Sequence, residues 1–393
     1  MSEIAGTFQK RWKIERELGE GGQAKVYRVR EVIKDEESLI DLIAKSVSIA
    51  TGTVSIGDQR EQAKRSLGIA LAKFVENRFH TRLGALKVLH SPEKARAPQL
   101  AKTRATREID VMQRWSHPGL LKIIDFDADE LWYVSEYHEN GTLDHHLANY
   151  AGDLPKVVNA IRPLVAAVAH LHQNNIVHRD IKPQNIFIAS DGHLVLGDFG
   201  LICELDETRV SETHANVGSR DWMPGWAMGM RVDELTPAFD VFALGKVMWS
   251  MLSGQPILPL WYYNRNNFNV TELFPNKPRI HLANQLFAEC IVEEEGDCLA
   301  TAERLLSKID ALSKRLAFGE SFFDVNRRMC RVCLDGEYAP LDNRGARNFG
   351  LSTAGQYAVK LFACNQCRHV EMFYFEDESS PPPKWLQSSS VNN

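Results

Sequence analysis

The run His178-Arg179-Asp180-Ile181-Lys182-Pro183-Gln184-Asn185, followed thirteen residues after Asn185 by Asp198-Phe199-Gly200, constrains this chain more than any other feature. It sits in a loop-and-strand stretch, Ile176 to Leu201, inside a region otherwise patterned for helix. An acid, cations and a carboxamide crowd into this stretch, with a second acid close behind. Such a set in a loop between strands reads as a site.

Two upstream segments sharpen the reading. Gly19-Glu20-Gly21-Gly22-Gln23-Ala24-Lys25-Val26 lies between strand patterns in residues 12–33, with Ala24 where a third glycine would complete the usual pattern. Glycine lets backbone amides approach phosphate oxygens, although the run alone reads equally well as a tight hairpin. Ala85-Leu86-Lys87-Val88 puts a lysine in an apolar strand. A buried ammonium needs a partner, and Glu108 on the next helix, Thr103–Trp115, is the candidate; the alternative is a lysine snorkelling from an edge strand. In this order the segments supply what phosphoryl transfer requires: a carboxylate for the attacking hydroxyl, oxygen ligands for magnesium and a cation to offset charge.

Residues from about 12 to 316 resemble the eukaryotic-type serine/threonine protein kinase family. The resemblance implies an α+β, bilobal fold, with a β-rich N-lobe over residues 8–137 and a helical C-lobe over 138–317. It implies ATP and Mg2+ as cofactors, a protein substrate and autophosphorylation. Gly19, Gly21, Gly22, Val26 and Ala85 would surround ATP, with Lys87 on its α- and β-phosphates and paired to Glu108. Glu136 and His138 would form the adenine hinge beside Ser135 as gatekeeper. Asp180 would be the base, Lys182 the γ-phosphate cation, and Asn185 and Asp198 the magnesium ligands. Phe199 would pack beneath the Glu108 helix, and Asp240 would anchor the catalytic loop. The lysine two places after Asp180 is similar to the serine/threonine class. Arg179 would pair with a phosphate on Thr208, Ser211 or Thr213 as a regulatory switch.

Three departures from the family stand out. An insertion, residues 34–82, separates the second and third strands. Ala63, Leu67, Ala70, Leu71, Phe74 and Val75 fall at helical spacing within it, and Leu39–Ala50 suggests a shorter helix. The insertion reads equally as a helix packed on its own lobe and as a docking surface for a regulator. Next, Gly218-Ser219-Arg220-Asp221-Trp222-Met223 is followed by Pro224-Gly225-Trp226, where the family carries Ala-Pro-Glu. The arginine that normally pairs with that glutamate should fall near Leu299, so an apolar contact is expected to replace the ion pair.

The last departure is Cys330-Arg331-Val332-Cys333 and Cys364-Asn365-Gln366-Cys367. Two such pairs resemble a zinc ribbon, with Cys330, Cys333, Cys364 and Cys367 as Zn2+ ligands in a small β module over residues 326–376. His369 is expected outside the ligand set, and residues 377–393 have the composition of a disordered tail. The odd total of seven cysteines, with four in these pairs, argues for metal and a cytoplasmic setting over a secreted disulfide framework. A net charge of -5 disfavours a nucleic-acid or membrane coat. Arg327, Arg328, Arg331, Arg344, Arg347 and Arg368 keep nucleic-acid binding by the module open, against Glu371, Glu376 and Asp377, which break a basic face. The competing function is a pseudokinase-like scaffold; intact Lys87, Asp180, Asn185 and Asp198 favour catalysis. The N-terminus lacks a signal-peptide core, and Lys246, Pro256 and Pro259 argue against a membrane span in the apolar region Val241–Tyr263.

Overall fold

The computed structural model describes residues 7–20, 24–32, 64–71, 82–89, 98–200, 203–204, 220–228, 235–317, 338–340 and 358–375, with a few positions between 42 and 48. Two compact units divide between Glu139 and Asn140.

The first unit is built on six antiparallel strands: β1 (Thr7–Phe8), β2 (Trp12–Glu20), β3 (Ala24–Glu31), β4 (Leu83–Leu89), β5 (Ile123–Asp127) and β6 (Trp132–Glu136), in the order β1-β2-β3-β4-β6-β5. Alternation sets its faces. Leu86, Trp132 and Val134 join Trp12 and Val29 in one core cluster, while their sequence neighbours face away. A flat sheet would hold β2 and β5, four strand spacings apart, at about 19 Å. Trp12 Nε1 nonetheless donates to Asp125 Oδ2 at 2.7 Å, and Phe8 meets Trp132 edge-to-face at 5.1 Å. The sheet therefore curls strongly, in the sense native twist favours. Helix α1 (Pro98–Arg114) follows β4.

The expected insertion helix is seen over residues 64–71, with further helical positions between 42 and 48; the rest of that expectation lies outside the described residues. Its buried face is narrower than expected. Ala70 is buried and Leu67 half-buried, but Leu71 is 42% exposed. Ala70 and Leu71 are 100° apart on a helix, and the contact centres on Ala70, so Leu71 is turned out.

The second unit is mainly helical. Helix α2 (Leu154–Gln173) begins at Asp153, whose carboxylate accepts from Lys156 N at 3.0 Å, with Pro155 in its first turn. It is long and apolar enough to cross a bilayer by composition. Here Ile161, Leu164, Val165 and Val168 are buried in the unit, and the helix packs on α6 (Ala302–Ala317). Every residue of α3 (Ala238–Ser253) is buried, and the helix ends at Gly254 in the left-handed region, φ 72°. A Cβ on Gly245 would sit 2.7 Å from Cys290 Cβ, so this glycine lets α3 approach the end of α5 (His281–Cys290). Helix α4 (Val270–Leu273) is one turn. The hairpin of β8 (Ile186–Ile188) with β9 (Leu194–Leu196) and the antiparallel pair of β7 (Ile176–Val177) with β10 (Cys203–Glu204) flank the His178–Asn185 run. A separate antiparallel sheet joins β11 (Tyr338–Pro340), β12 (Ala358–Cys364) and β13 (Val370–Phe375).

Candidate active site

Asp240, in the first turn of α3, organises the loop between β7 and β8. It is fully buried, accepts from His178 N and Arg179 N at 2.8 Å each, and receives His172 Nε2–H at 3.0 Å. His172 Nδ1 accepts from Ala302 N at 3.0 Å, which fixes the tautomer. Burial alone would raise the Asp240 carboxyl; the His172 hydrogen bond, the neighbouring imidazoles and the His178 amide hold it below the ordinary range. Burial lowers His178, and its ring meets Phe199 edge-to-face at 5.2 Å.

On this anchor the reactive groups converge. Lys182 Nζ lies 3.0 and 2.8 Å from the two Asp180 carboxylate oxygens. Asn185 Nδ2 donates to the Asp180 carbonyl and to Asp180 Oδ2, both at 2.8 Å. With Nδ2 engaged, Oδ1 is the atom of Asn185 suited to a hard cation. Gly197 N donates to the Asn185 carbonyl at 2.8 Å, tying the end of β9, and Asp198 after it, to the loop. Arg179 and Asp198 both take positive φ, 67° and 60°, a strained backbone at the residues nearest the chemistry. Phe199 is buried.

The first unit holds a second cluster. Lys87 Nζ meets Glu108 Oε1 at 2.7 Å, so the strand lysine is paired and does not snorkel. Val26 and Tyr133 are the cross-strand neighbours of Lys87, Gly19 pairs with Val26, and Ala85 faces Ser135. Ser135 is buried with its hydroxyl 3.5 Å from the Ala85 carbonyl. Glu136 N donates to the Lys122 carbonyl at 3.0 Å while its side chain reaches Arg82 at 3.5 Å; His138 is half-buried. Gly21, Gly22, Thr208, Ser211, Thr213, Cys330 and Cys333 lie outside the described residues.

At the altered end of the activation segment, residues 225–227 form a 3-10 turn. Met223, Trp226 and Ala227 cluster with Leu235 and Phe239. The expected exchange of an ion pair for an apolar contact did not foresee a buried cation beside this segment. Lys246, inside α3, donates from Nζ to the Asp221 carbonyl and lies 5.6 Å from the Phe242 ring centroid. Burial lowers its ammonium to about 8, with Asp221 pulling the other way. A lysine inside a mostly apolar helix was the available signal.

In the three-stranded sheet, Cys364 is buried at the end of β12 and Cys367 is exposed. Gln366 N and Cys367 N both point at Cys364 Sγ, at 3.3 and 3.4 Å, and Cys364 N donates to the His369 carbonyl at 2.8 Å. Among the described residues no group of three or more His, Cys, Asp and Glu side chains is arranged to hold a metal.

A family model described as protein kinase domain matches residues 71–311, more than half of the chain. The chain belongs to the protein kinase family. Among curated proteins it is similar to the serine/threonine-protein kinase PrkC of Bacillus subtilis, 36% identical over 156 residues, 39% of this chain and 24% of that protein. It is similar to the probable serine/threonine-protein kinase PknB of Lactococcus lactis, 27% identical over 262 residues, 65% of this chain and 33% of that protein. Mouse serine/threonine-protein kinase PAK 1 is 28% identical over 209 residues, 51% of this chain and 37% of that protein. The chain thus spans 24% to 37% of the length of these relatives.

Proposed function

We propose that this chain is a serine/threonine protein kinase that transfers the γ-phosphoryl group of ATP to protein hydroxyls, its own included. The observation that carries the reading is the Asp180 carboxylate, gripped by Lys182 and Asn185 on a loop whose backbone is bonded to buried Asp240. In this role Asp180 orients the substrate hydroxyl and accepts its proton as the oxygen bonds to the γ-phosphorus. The bond from phosphorus to the bridging oxygen breaks and ADP leaves. Lys182, already paired with Asp180, offsets charge on the transferred group, and Lys87, paired with Glu108, orients the other phosphates. Asn185 and Asp198 offer the oxygen ligands that magnesium requires, and the ion would neutralise developing phosphate charge. Gly19, Gly21, Gly22, Val26 and Ala85 would enclose the nucleotide, with Glu136 and His138 at the hinge. The intact set of Lys87, Asp180, Asn185 and Asp198 supports catalysis over a scaffold. Incubation of the purified chain with radiolabelled ATP and a protein substrate, followed by phosphosite mapping, tests this. Absence of label on any protein would refute it.

The finer reading divides the chain into lobes 8–137 and 138–317 and a module over 326–376 in which Cys330, Cys333, Cys364 and Cys367 bind one Zn2+. The two amides directed at Cys364 Sγ support it, because such donors stabilise a thiolate ligand. The module and insertion 34–82 are the candidate docking sites for a regulator, and the cysteine usage supports a cytoplasmic setting. Metal analysis of chain purified without chelator tests the zinc assignment; stoichiometry near zero would refute it.

A further inference from the structure

Glu108 carries a contact that the kinase reading does not assign. Tyr133 Oη donates to Glu108 Oε1 at 2.7 Å, the same oxygen that Lys87 Nζ reaches at 2.7 Å. Glu108 and Tyr133 are 2% and 3% exposed. Strand register produces the meeting. Tyr133 lies directly opposite Lys87 across the β4–β6 pair. Its neighbours Trp132 and Val134 belong to the sheet core, so period-two alternation sends Tyr133 to the face that Lys87 shares. The Lys87 ammonium lies 5.6 Å from the Tyr133 ring centroid. One side chain thus offers its π-face to the cation and its hydroxyl to the acid.

We propose that Tyr133 is a positioning residue for the Lys87–Glu108 pair: its hydroxyl fastens the Glu108 carboxylate, and with it α1, to strand β6. The proposal rests on the kinase reading, in which Lys87 must also serve the phosphates. When the ammonium turns its protons towards phosphate, Glu108 loses part of this cationic partner. A buried carboxylate left short of donors is unstable there, and a shift of α1 would relieve it. The Tyr133 hydroxyl supplies a short charge-assisted bond that does not compete with nucleotide. Glu108 then stays beside Lys87 whether or not nucleotide is bound.

The test uses the full chain as wild type, Tyr133→Phe, Glu108→Ala and the double variant, with casein as substrate and ATP varied. Tyr133→Phe deletes one oxygen and keeps the ring. It should lower kcat/KM for ATP by about tenfold in the wild-type background and by less than about twofold beside Glu108→Ala. Affinity for a fluorescent ATP analogue should fall with it, while the melting temperature stays near that of the wild type. Tyr133→Leu, which also lacks the hydroxyl, should share the loss. Either hydroxyl-deleted variant at wild-type activity overturns the proposal. So do equal losses in both Glu108 backgrounds, because Tyr133 would then act through packing alone. An inactive wild type refutes the kinase reading and this inference with it; an active wild type unaffected by Tyr133→Phe refutes the inference alone.

Discussion

Replacing Lys246 by methionine isolates the cost of a charge inside the central helix. Lys246 is 1% exposed, and burial lowers its pKa from 10.5 to about 8. The folded-state value lies below the unfolded one, so the unfolded chain binds more protons between those two values. Stability from this group therefore rises with pH through that window; below it, Lys246 is charged in both states and carries its full burial cost. Inserting the two values gives a rise of about 2 kcal/mol between about pH 7 and about pH 9.5. Methionine fills a similar volume without charge and has no such rise. Urea unfolding of both proteins at the two pH values measures it, because other titrating groups cancel in the difference. The wild type should gain about 2 kcal/mol on the variant as pH is raised. At neutral pH the variant should be close to wild type in stability, since the relieved burial cost offsets the lost bond to the Asp221 carbonyl. Activity should fall, because residues 220–223 lose their tie to α3. A stability difference that does not change with pH would refute the claim that Lys246 is buried as a charged group.

Asp180→Asn keeps the shape of the loop and removes the base; phosphate incorporation should drop by about 10²-fold or more, read by radiolabelled ATP at unchanged melting temperature. Wild-type autophosphorylation in that variant would contradict the assignment. If phosphorylation next to Arg179 orders the activation segment, the Thr208, Ser211 and Thr213 triple alanine variant should lose most of its activity, and full activity would rule the switch out. If the proposed zinc assignment holds, Cys364→Ser should abolish zinc binding and loosen residues 326–376 to proteolysis while nucleotide affinity persists, since so small a module would depend on metal for folding. Retained zinc in that variant would exclude Cys364 as a ligand.

The residues legible in the sequence were those whose chemistry is out of place locally. Lys87 stands in an apolar strand, so it needed an acid, and Glu108 was the nearest on the following helix; the two meet at 2.7 Å. The loop carrying Asp180 was legible because its polar residues follow no helical or strand period. Asp240 could be assigned as an anchor by resemblance, but not the His172 that shares its carboxylate, because that pairing joins residues 68 apart through the packing of α2 on α3. Tyr133 gave no signal: an aromatic residue in a strand satisfies β-propensity, and only the register places its hydroxyl against Glu108. The same limit explains Leu71. Helical spacing gives a set of residues that share a side, but which part of that side is covered is a tertiary property, and here Ala70 is buried while Leu71 is exposed. Lys246 shows the opposite failure. Its signal was present, the one cation in a helix buried on every side, but spacing cannot reveal a backbone carbonyl as partner, and Asp221 uses its carbonyl to receive the ammonium. Side-chain partners leave a trace in composition and backbone partners leave none, so a buried charge without an evident counter-charge is where sequence reading should expect a carbonyl.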